Sequence, residues 1–334
     1  MKEKVLTISI ASYNTESTLG ETLKSLIIEE RWMDKLEIII VNDGSKDSTS
    51  EIAHDFAKKY PNSVLVIDKQ NGGYGSTINS SLALAKGKYY KLLDGDDWFN
   101  TEDLPSFLEY LENTDADLII SPYVEIKADK NLINNHEEIP VDSTLFSKLT
   151  IENKLFVMHE LSIKTSVIKE QGRKITEHCF YTDAEYVFYC VVSAGTIARF
   201  DKPVYLYRLG TDGQSVSLSG IRKHQKDLPI VMNRIVDCHS KLNVELHGAK
   251  KEILTLCVCN ITYHAYRSFM LLDQPGAHKR ELIDLDKELR QKYNHEYLMG
   301  NASRLVKLSR CIRFTPYYLL CKLARKIFDR EMMD

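Results

Sequence analysis

Lys91-Leu92-Leu93-Asp94-Gly95-Asp96-Asp97-Trp98 ends an apolar run with three carboxylates inside four residues. Carboxylates this close repel one another, which raises their pKa values and costs stability unless a cation or hydrogen bonds compensate. Hard divalent ions prefer oxygen ligands and bind through one or two carboxylates plus substrate phosphates. Asp-Gly is also a common turn pair, so the stretch alone reads equally as a solvated acidic turn. In an open α/β sheet, ligands gather at the carboxyl ends of strands, where this cluster falls. Its neighbours decide between the two readings.

Outward from this stretch, the first 122 residues alternate strand and helix signals. Apolar runs at Val5–Ala11, Leu36–Val41, Val64–Ile67, Lys88–Leu93 and Asp117–Ser121 suit buried strands. Between them, Thr18 with Glu21 and Ser48 with Glu51 have capping-box spacing. The helix opened at Ser48 is expected to stop near Tyr60, before Pro61; others are expected from Asn71-Gly72-Gly73-Tyr74-Gly75 to about Ala85 and over Thr101–Leu111. This alternation implies an α/β fold with a mostly parallel sheet and right-handed crossovers. After Pro122, Tyr123–Ile133 resembles a hairpin around Asp129-Lys130, and helical periodicity dominates from about Ile221.

The 334 residues suffice for one large or two modest domains. A net charge of -3 argues against an overall nucleic-acid-binding surface. The balance is uneven, since residues 303–334 carry +5 and the rest -8. Seven scattered cysteines show no paired metal-ligand spacing, and Cys257-Val258-Cys259 reads as core. Met1-Lys2-Glu3-Lys4 leads straight into a strand with no signal peptide, and nothing approaches the roughly 20 apolar residues of a spanning helix. The expectation is a cytoplasmic protein with reduced thiols, touching the inner face of the plasma membrane if it touches a membrane at all.

Three polar loops follow strand ends: Ser12-Tyr13-Asn14, Asn42-Asp43-Gly44-Ser45 and Asp94-Gly95-Asp96-Asp97. In a parallel sheet these share one rim and can line a single cleft. Here the sequence resembles the family 2 glycosyltransferases, whose fold is GT-A, a Rossmann-type mostly parallel sheet flanked by helices. The matching pieces are Ser9–Asn14, Val41–Ser45 with Asp47, Asn71-Gly72-Gly73, Ala85-Lys86-Gly87-Lys88-Tyr89 and Leu93–Asp97, in matching order and spacing across about residues 4–125.

The resemblance implies a nucleotide-sugar donor, a UDP-sugar foremost, and an inverting reaction of the kind used in bacterial capsule and exopolysaccharide synthesis. It implies that the Ala11, Ser12 and Tyr13 backbone and Asp43 hold the nucleoside, with the Asp43 carboxylate accepting from a uracil N–H. Gly73 and Gly95 belong to the same donor loops. Asp94 and Asp96 form the DxD motif, with Asp96 as direct ligand of Mn²⁺ or Mg²⁺, Asp94 nearer the ribose or sugar, and Asp97 behind them. Ile78 stands where many relatives carry an Arg, so Lys91 is the substitute cation considered for the donor.

In the second half, Thr176–Asp183 is similar to the segment where the family places Glu-Asp, with Thr182 in place of the Glu. That makes Asp183 the candidate general base; Glu185 is the rival, and a helix N-cap is the alternative for Asp183. Tyr205-Leu206-Tyr207-Arg208 with Gln214–Ser217 resembles a loop near the diphosphate, where Arg208 offers a permanently charged phosphate partner; a surface Arg capping a strand end is the alternative. His159 and Glu160 resemble the start of the acceptor-side helix, with a structural histidine as the default.

The expected organisation is a catalytic domain over 1–215, with a nucleotide-sugar half (1–122) and an acceptor half (123–215), then a mainly helical region over 216–334. In the tail, Leu305, Leu308, Ile312, Leu319, Leu320, Leu323, Ile327 and Phe328 interleave with basic residues. Such a segment either lies on an anionic membrane or packs on the core with a solvated basic face. The expected partners are the donor and a cell-surface glycan or lipid-linked acceptor, without nucleic acid, with homo-oligomerisation left open. The rival functions are a non-catalytic donor-fold subunit assisting a partner transferase and a sugar-phosphate nucleotidyltransferase. Against the latter, Ser12–Glu16 lacks the Gly-rich basic loop such enzymes carry after their first strand.

Overall fold

A computed structural model describes residues 3–127, 131–151, 154–209, 217–242, 246–272 and 276–331. Two compact units result: Met1–Thr211 with His247–Lys250, and Asp212–Leu246 with Lys251–Asp334.

The strands of the first unit are β1 (Leu6–Ser12), β2 (Leu36–Asn42), β3 (Val64–Asp68), β4 (Tyr89–Asp94), β5 (Trp98–Phe99), β6 (Leu118–Ile120), β7 (Tyr123–Ile126), β8 (Asn131–Asn134), β9 (Thr144–Leu145), β10 (Leu161–Lys164), β11 (Thr196–Arg199) and β12 (Tyr205–Arg208). They form an eight-stranded, mostly parallel sheet in the order β3-β2-β1-β4-β10-β6-β11-β9 and a four-stranded sheet in the order β5-β12-β7-β8. β2 is buried along its whole length, as expected of a parallel strand covered on both faces. Each fully buried Ile or Leu there contributes roughly 1.5–3 kcal/mol. Glu37 is tolerated on this strand because Thr7 Oγ1 (2.6 Å) and Lys86 N (2.8 Å) both donate to its Oε2.

Three features of this unit position the site. The strand order reverses at β1, with β2 and β3 to one side and β4 to the other, so a crevice opens at the carboxyl ends of β1 and β4. The register aligns those ends: Asn42 pairs with Asp68, Ser12 with Asn42, and Ala11 with Asp94. At about 4.8 Å per strand, the rim from Asp68 to Asp94 spans roughly 14 Å. Finally, β10 runs antiparallel between β4 and β6, with Ile163 opposite Tyr90 and Lys164 opposite Tyr89. The 3₁₀ turn Met158–Glu160 immediately precedes β10 and brings His159 to the Lys91–Asp94 end of β4.

The five strands expected in the first half all form within one residue of their expected ends. The capping boxes do not form. Thr18 Oγ1 instead donates to the Gly95 carbonyl (2.8 Å), and that helix ends at Lys24. At the next helix, Thr49–Lys59, Asp47 Oδ1 accepts from Thr49 N (3.1 Å) and Glu16 Oε2 from Ser48 N (2.9 Å). Thr18 is thus drawn to a neighbouring loop, whereas at the helix Thr49–Lys59 Asp47 takes the capping place and Glu16 adds a bond from the loop after β1. β7 and β8 form the expected hairpin, whose turn at Asp129-Lys130 lies outside the described residues.

The described part of the second unit is helical, and its core gathers Tyr266, Met270, Leu282, Leu305, Phe314, Leu320 and Phe328. All seven cysteines are free. Among the described residues no helix is long and apolar enough to cross a membrane.

Candidate active site

The carboxyl ends of β1, β2 and β3 enclose a cavity of about 630 Å³ lined by Tyr13, Ser45, Lys46, Lys69 and Asn71 among others. Tyr13 presents half of its surface there (52% exposed), a ring available for stacking. Asn14 N donates to Ser45 Oγ (3.0 Å) and Lys46 N to Asn14 Oδ1 (2.8 Å), which ties the first loop to the second.

Asp43 is buried, and its carboxylate organises the next loop. Its Oδ1 accepts from Gly72 N (2.9 Å) and Lys69 Nζ (2.7 Å), and its Oδ2 accepts from Gly73 N (2.8 Å). That leaves the second lone pair of Oδ2 for any base contact. Gly73 has φ +80°, and a Cβ there would stand 3.3 Å from the His178 and Cys179 backbone nitrogens. Through this close approach, and the bond from His178 N to the Gly72 carbonyl (2.5 Å), the Asn71–Gly73 loop meets the Thr176–Asp183 segment.

At the end of β4, Gly95 is pressed onto β1: its N donates to the Ala11 carbonyl (3.0 Å), and a Cβ would lie 2.9 Å from that oxygen and 3.1 Å from Ser12 Oγ. The following carboxylates then separate in role. Asp97 is buried and engaged twice, accepting from the Tyr205 hydroxyl (2.6 Å) and from Arg208 N (2.8 Å). It thereby couples the acidic loop to β12, whose antiparallel pairing with β5 brings Arg208 back to Asp96. Arg208 Nε donates to the Asp96 carbonyl (2.9 Å), its NH2 donates to Glu21 (2.6 Å), and its guanidinium lies 4.4 Å from the Trp98 ring centre. The Asp96 carboxylate takes no side-chain hydrogen bond among the described residues, and burial raises its pKa. Gln214–Val216, expected beside Arg208, lie outside the described residues.

Asp94 Oδ1 is buried without a hydrogen-bond partner among the described residues, and so is His159 Nδ1. With Asp97, their ligand atoms lie within 4.8 Å of one another. Burial, then the charges of Asp97 and Asp96, raise the Asp94 pKa well above the ordinary carboxylate range. His159 stacks on Tyr207 (ring centres 4.1 Å apart); burial and then the Lys91 charge lower its pKa to about 3, so its imidazole is neutral. Two carboxylates and a neutral imidazole around partnerless lone pairs have the donor chemistry of a divalent-cation site. Asp183, second residue of the helix Thr182–Ser193, keeps solvent access at the cleft, and its charge acts on both Asp94 and Tyr207. Desolvation by the surrounding protein raises its pKa, against hydrogen bonds from the Ala184 and Asp183 backbone N–H groups at the start of the helix.

Three expected residues do other work. Lys91 does not reach a donor: it is fully buried, donates to the His159 (2.7 Å) and Leu161 (3.2 Å) carbonyls, and has its pKa lowered by burial to about 7. Glu160 is sealed against His136 Nε2 (2.8 Å) and Val157 N (2.8 Å), away from any acceptor. Glu185 is fully buried and accepts from Thr176 N (3.1 Å) and the Tyr189 hydroxyl (2.8 Å), which removes it as a rival base. Sequence reading missed Lys69, Tyr74 and Tyr207 as cleft residues. The polar end of β3, Asp68-Lys69-Gln70, was the available signal for the first. Ile78 is fully buried, so the cation that relatives carry there has no counterpart at that position.

Comparison with known proteins bears on the family and the fold. The minor teichoic acid biosynthesis protein GgaB of Bacillus subtilis is 28% identical over 210 residues, covering 61% of this chain and 23% of its own length. The chain thus spans about a quarter of that relative, and 35% of the Bacillus subtilis glycosyltransferase EpsH. Among solved structures, S. aureus TarS 1-349 in complex with UDP-GlcNAc superposes with a TM-score of 0.65 at 18% identity, covering 92% of this chain and 91% of that one. The sequence model of glycosyl transferase family 2 matches residues 7–179, more than half of the chain. The protein whose rim carries these loops is therefore a member of glycosyl transferase family 2 with the GT-A fold.

Proposed function

We propose that this protein transfers a sugar, with inversion, from a nucleotide-sugar donor to a hydroxyl of a cell-surface glycan or lipid-linked oligosaccharide. The observation that carries this is the Asp94, Asp97 and His159 group, whose ligand atoms lie within 4.8 Å of one another and whose Asp94 feels the charge of Asp183. The base of the donor stacks on Tyr13, and Lys46 and Lys69 lie along the same cavity. Uracil is the first base to test, because the TarS structure holds UDP-GlcNAc. The name of GgaB supports a cell-surface polymer as acceptor class.

Asp94 and His159, with Asp97 or Asp96 completing the set, would hold a divalent ion; the imidazole tilts the choice from Mg²⁺ toward the softer Mn²⁺. Such an ion, when bound, neutralises charge that develops on the departing diphosphate. The chain's own part is geometric and acid–base. Asp183 takes the acceptor hydroxyl proton as that oxygen bonds to the anomeric carbon and the bond to the diphosphate oxygen breaks. A carboxyl with a raised pKa holds that proton better than an ordinary one. Arg208, fixed by Glu21 and Trp98, adds a permanent positive charge near the Asp96 loop.

A panel of nucleotide sugars with and without Mn²⁺, followed by thermal shift and nucleotide release, tests this. One donor should stabilise the protein only with metal, and Asp94→Asn should abolish the effect. His159→Ala and Asp96→Ala assign the remaining ligands by which of them also abolishes it. Donor binding that needs no metal and survives Asp94→Asn would remove the assigned site. Binding without any transfer would favour the non-catalytic subunit.

A further inference from the structure

The apolar stripe of the C-terminal tail is mostly spent inside the second unit. Leu305, Leu320 and Phe328 belong to its core, and Ile312 and Leu323 pack against it. A lipid surface could not take these residues without unfolding the unit. What remains outside is a different set. Tyr318 and Leu319 are 55% and 57% exposed at the start of the helix Tyr317–Glu331, and Leu308 is 41% exposed on the preceding helix, Arg304–Cys311.

At 100° per residue, Tyr318, Leu319, Lys322, Arg325 and Lys326 fall within about 120° of the helix circumference, opposite Tyr317, Leu320, Cys321, Ala324 and Phe328. All five outward residues are exposed and all five inward ones buried. Lys322 Nζ lies 4.6 Å from the Tyr318 ring centre, and Arg325 is paired with Asp329 (2.8 Å). Lys322 and Lys326, like Arg304 and Lys307 on the helix before, have no acidic partner among the described residues. The surface thus has an aromatic and aliphatic end followed by unneutralised cations.

We propose that this outward face docks the protein on an anionic lipid surface, with Tyr318 and Leu319 entering the headgroup boundary and Lys322, Arg325 and Lys326 meeting lipid phosphates. Cations alone would suit any polyanion; the exposed Tyr-Leu pair at the helix start selects a surface with an apolar layer beneath its charge. A second copy of this chain is the competing occupant, since the rest of the sequence carries -8. The inference rests on the second unit alone and does not depend on the reading of the cleft.

The full chain, without donor or metal, is mixed with phosphatidylcholine vesicles with and without phosphatidylglycerol and floated through a density gradient. It should float only with phosphatidylglycerol vesicles and lose binding as salt rises. Lys322→Glu with Lys326→Glu should weaken binding at least about tenfold, and Leu319→Asp should weaken it even at low salt, both with unchanged thermal midpoints. Equal flotation on neutral vesicles, no flotation, or binding unaffected by these variants would overturn the proposal. So would a size by light scattering that doubles with concentration and collapses in the Lys322→Glu, Lys326→Glu variant, which would assign the face to a second copy.

Discussion

Two buried polar clusters lie on either side of the turn Met158–Glu160, and they are built on opposite principles. On one side, Glu160 and His136 satisfy each other at 2.8 Å, with Val157 N and Glu138 completing the bonds. On the other, His159 Nδ1 and Asp94 Oδ1 are each buried with no hydrogen-bond partner among the described residues, and ligand atoms of the two side chains lie within 4.8 Å of each other. A satisfied buried network fixes a backbone, whereas an unsatisfied one costs stability and is retained where a ligand supplies the missing bonds. Of the consecutive residues His159 and Glu160, Glu160 is spent on the backbone around it, while His159 keeps a ring nitrogen with no partner among the described residues.

The largest expected effect lies on the open side. Asp183→Asn should lower transfer by roughly 10²–10⁴-fold while donor-induced thermal stabilisation persists. Wild-type transfer rates would remove Asp183 as base.

On the closed side, Glu160→Ala strands a buried histidine and should cost about 3–5 kcal/mol in chemical denaturation. Burial lowers the His136 pKa, but Glu160 and Glu138 outweigh it and leave the value raised. A raised histidine contributes stability that is present below its ordinary 6.5 and is lost as pH rises through the raised value. The penalty of Glu160→Ala should accordingly shrink as pH climbs past neutrality; a penalty independent of pH would mean that His136 is neutral throughout.

Lys91 sharpens the comparison from beneath the turn. Its folded pKa is about 7 against an ordinary 10.5, so the unfolded chain binds more protons between those values. Wild-type stability should rise with pH across that window relative to Lys91→Met, by up to about 1.4 kcal/mol per pH unit. Parallel stability curves would break the assignment of a sealed lysine.

The smallest effect concerns Asp94 without metal. Its raised pKa means that metal-free stability falls as pH rises above 3.8. Asp94→Asn should then be more stable than the parent at neutral pH by on the order of 1 kcal/mol, and should lose any metal-induced gain. Destabilisation by this change would mark Asp94 as structural, like Glu160.

Much of the rim was legible in the chain because parallel strands align their own ends. Apolar runs closing in Ser12, Asn42-Asp43 and Asp94 can only place those residues side by side once the strands pair in parallel. The capping box at Thr18 misled because its hydroxyl bonds the Gly95 carbonyl on a neighbouring loop, and the one at Ser48 because Asp47, one residue earlier, accepts from Thr49 N instead. The tail was ambiguous until packing separated Leu305, Leu320 and Phe328 from Leu308 and Leu319, since periodicity gives a face but not what covers it.

By itself, then, the sequence determined the alternating α/β order, the acidic turn after β4 and the family resemblance, all of which follow from local periodicity and spacing. Tertiary structure alone decided that β10 enters antiparallel beside β4 and carries His159 to Asp94. It also decided that Glu160, Glu185 and Lys91 are sealed supports. Those outcomes depend on long-range register and on which polar atoms find partners, neither of which any local stretch of chain encodes.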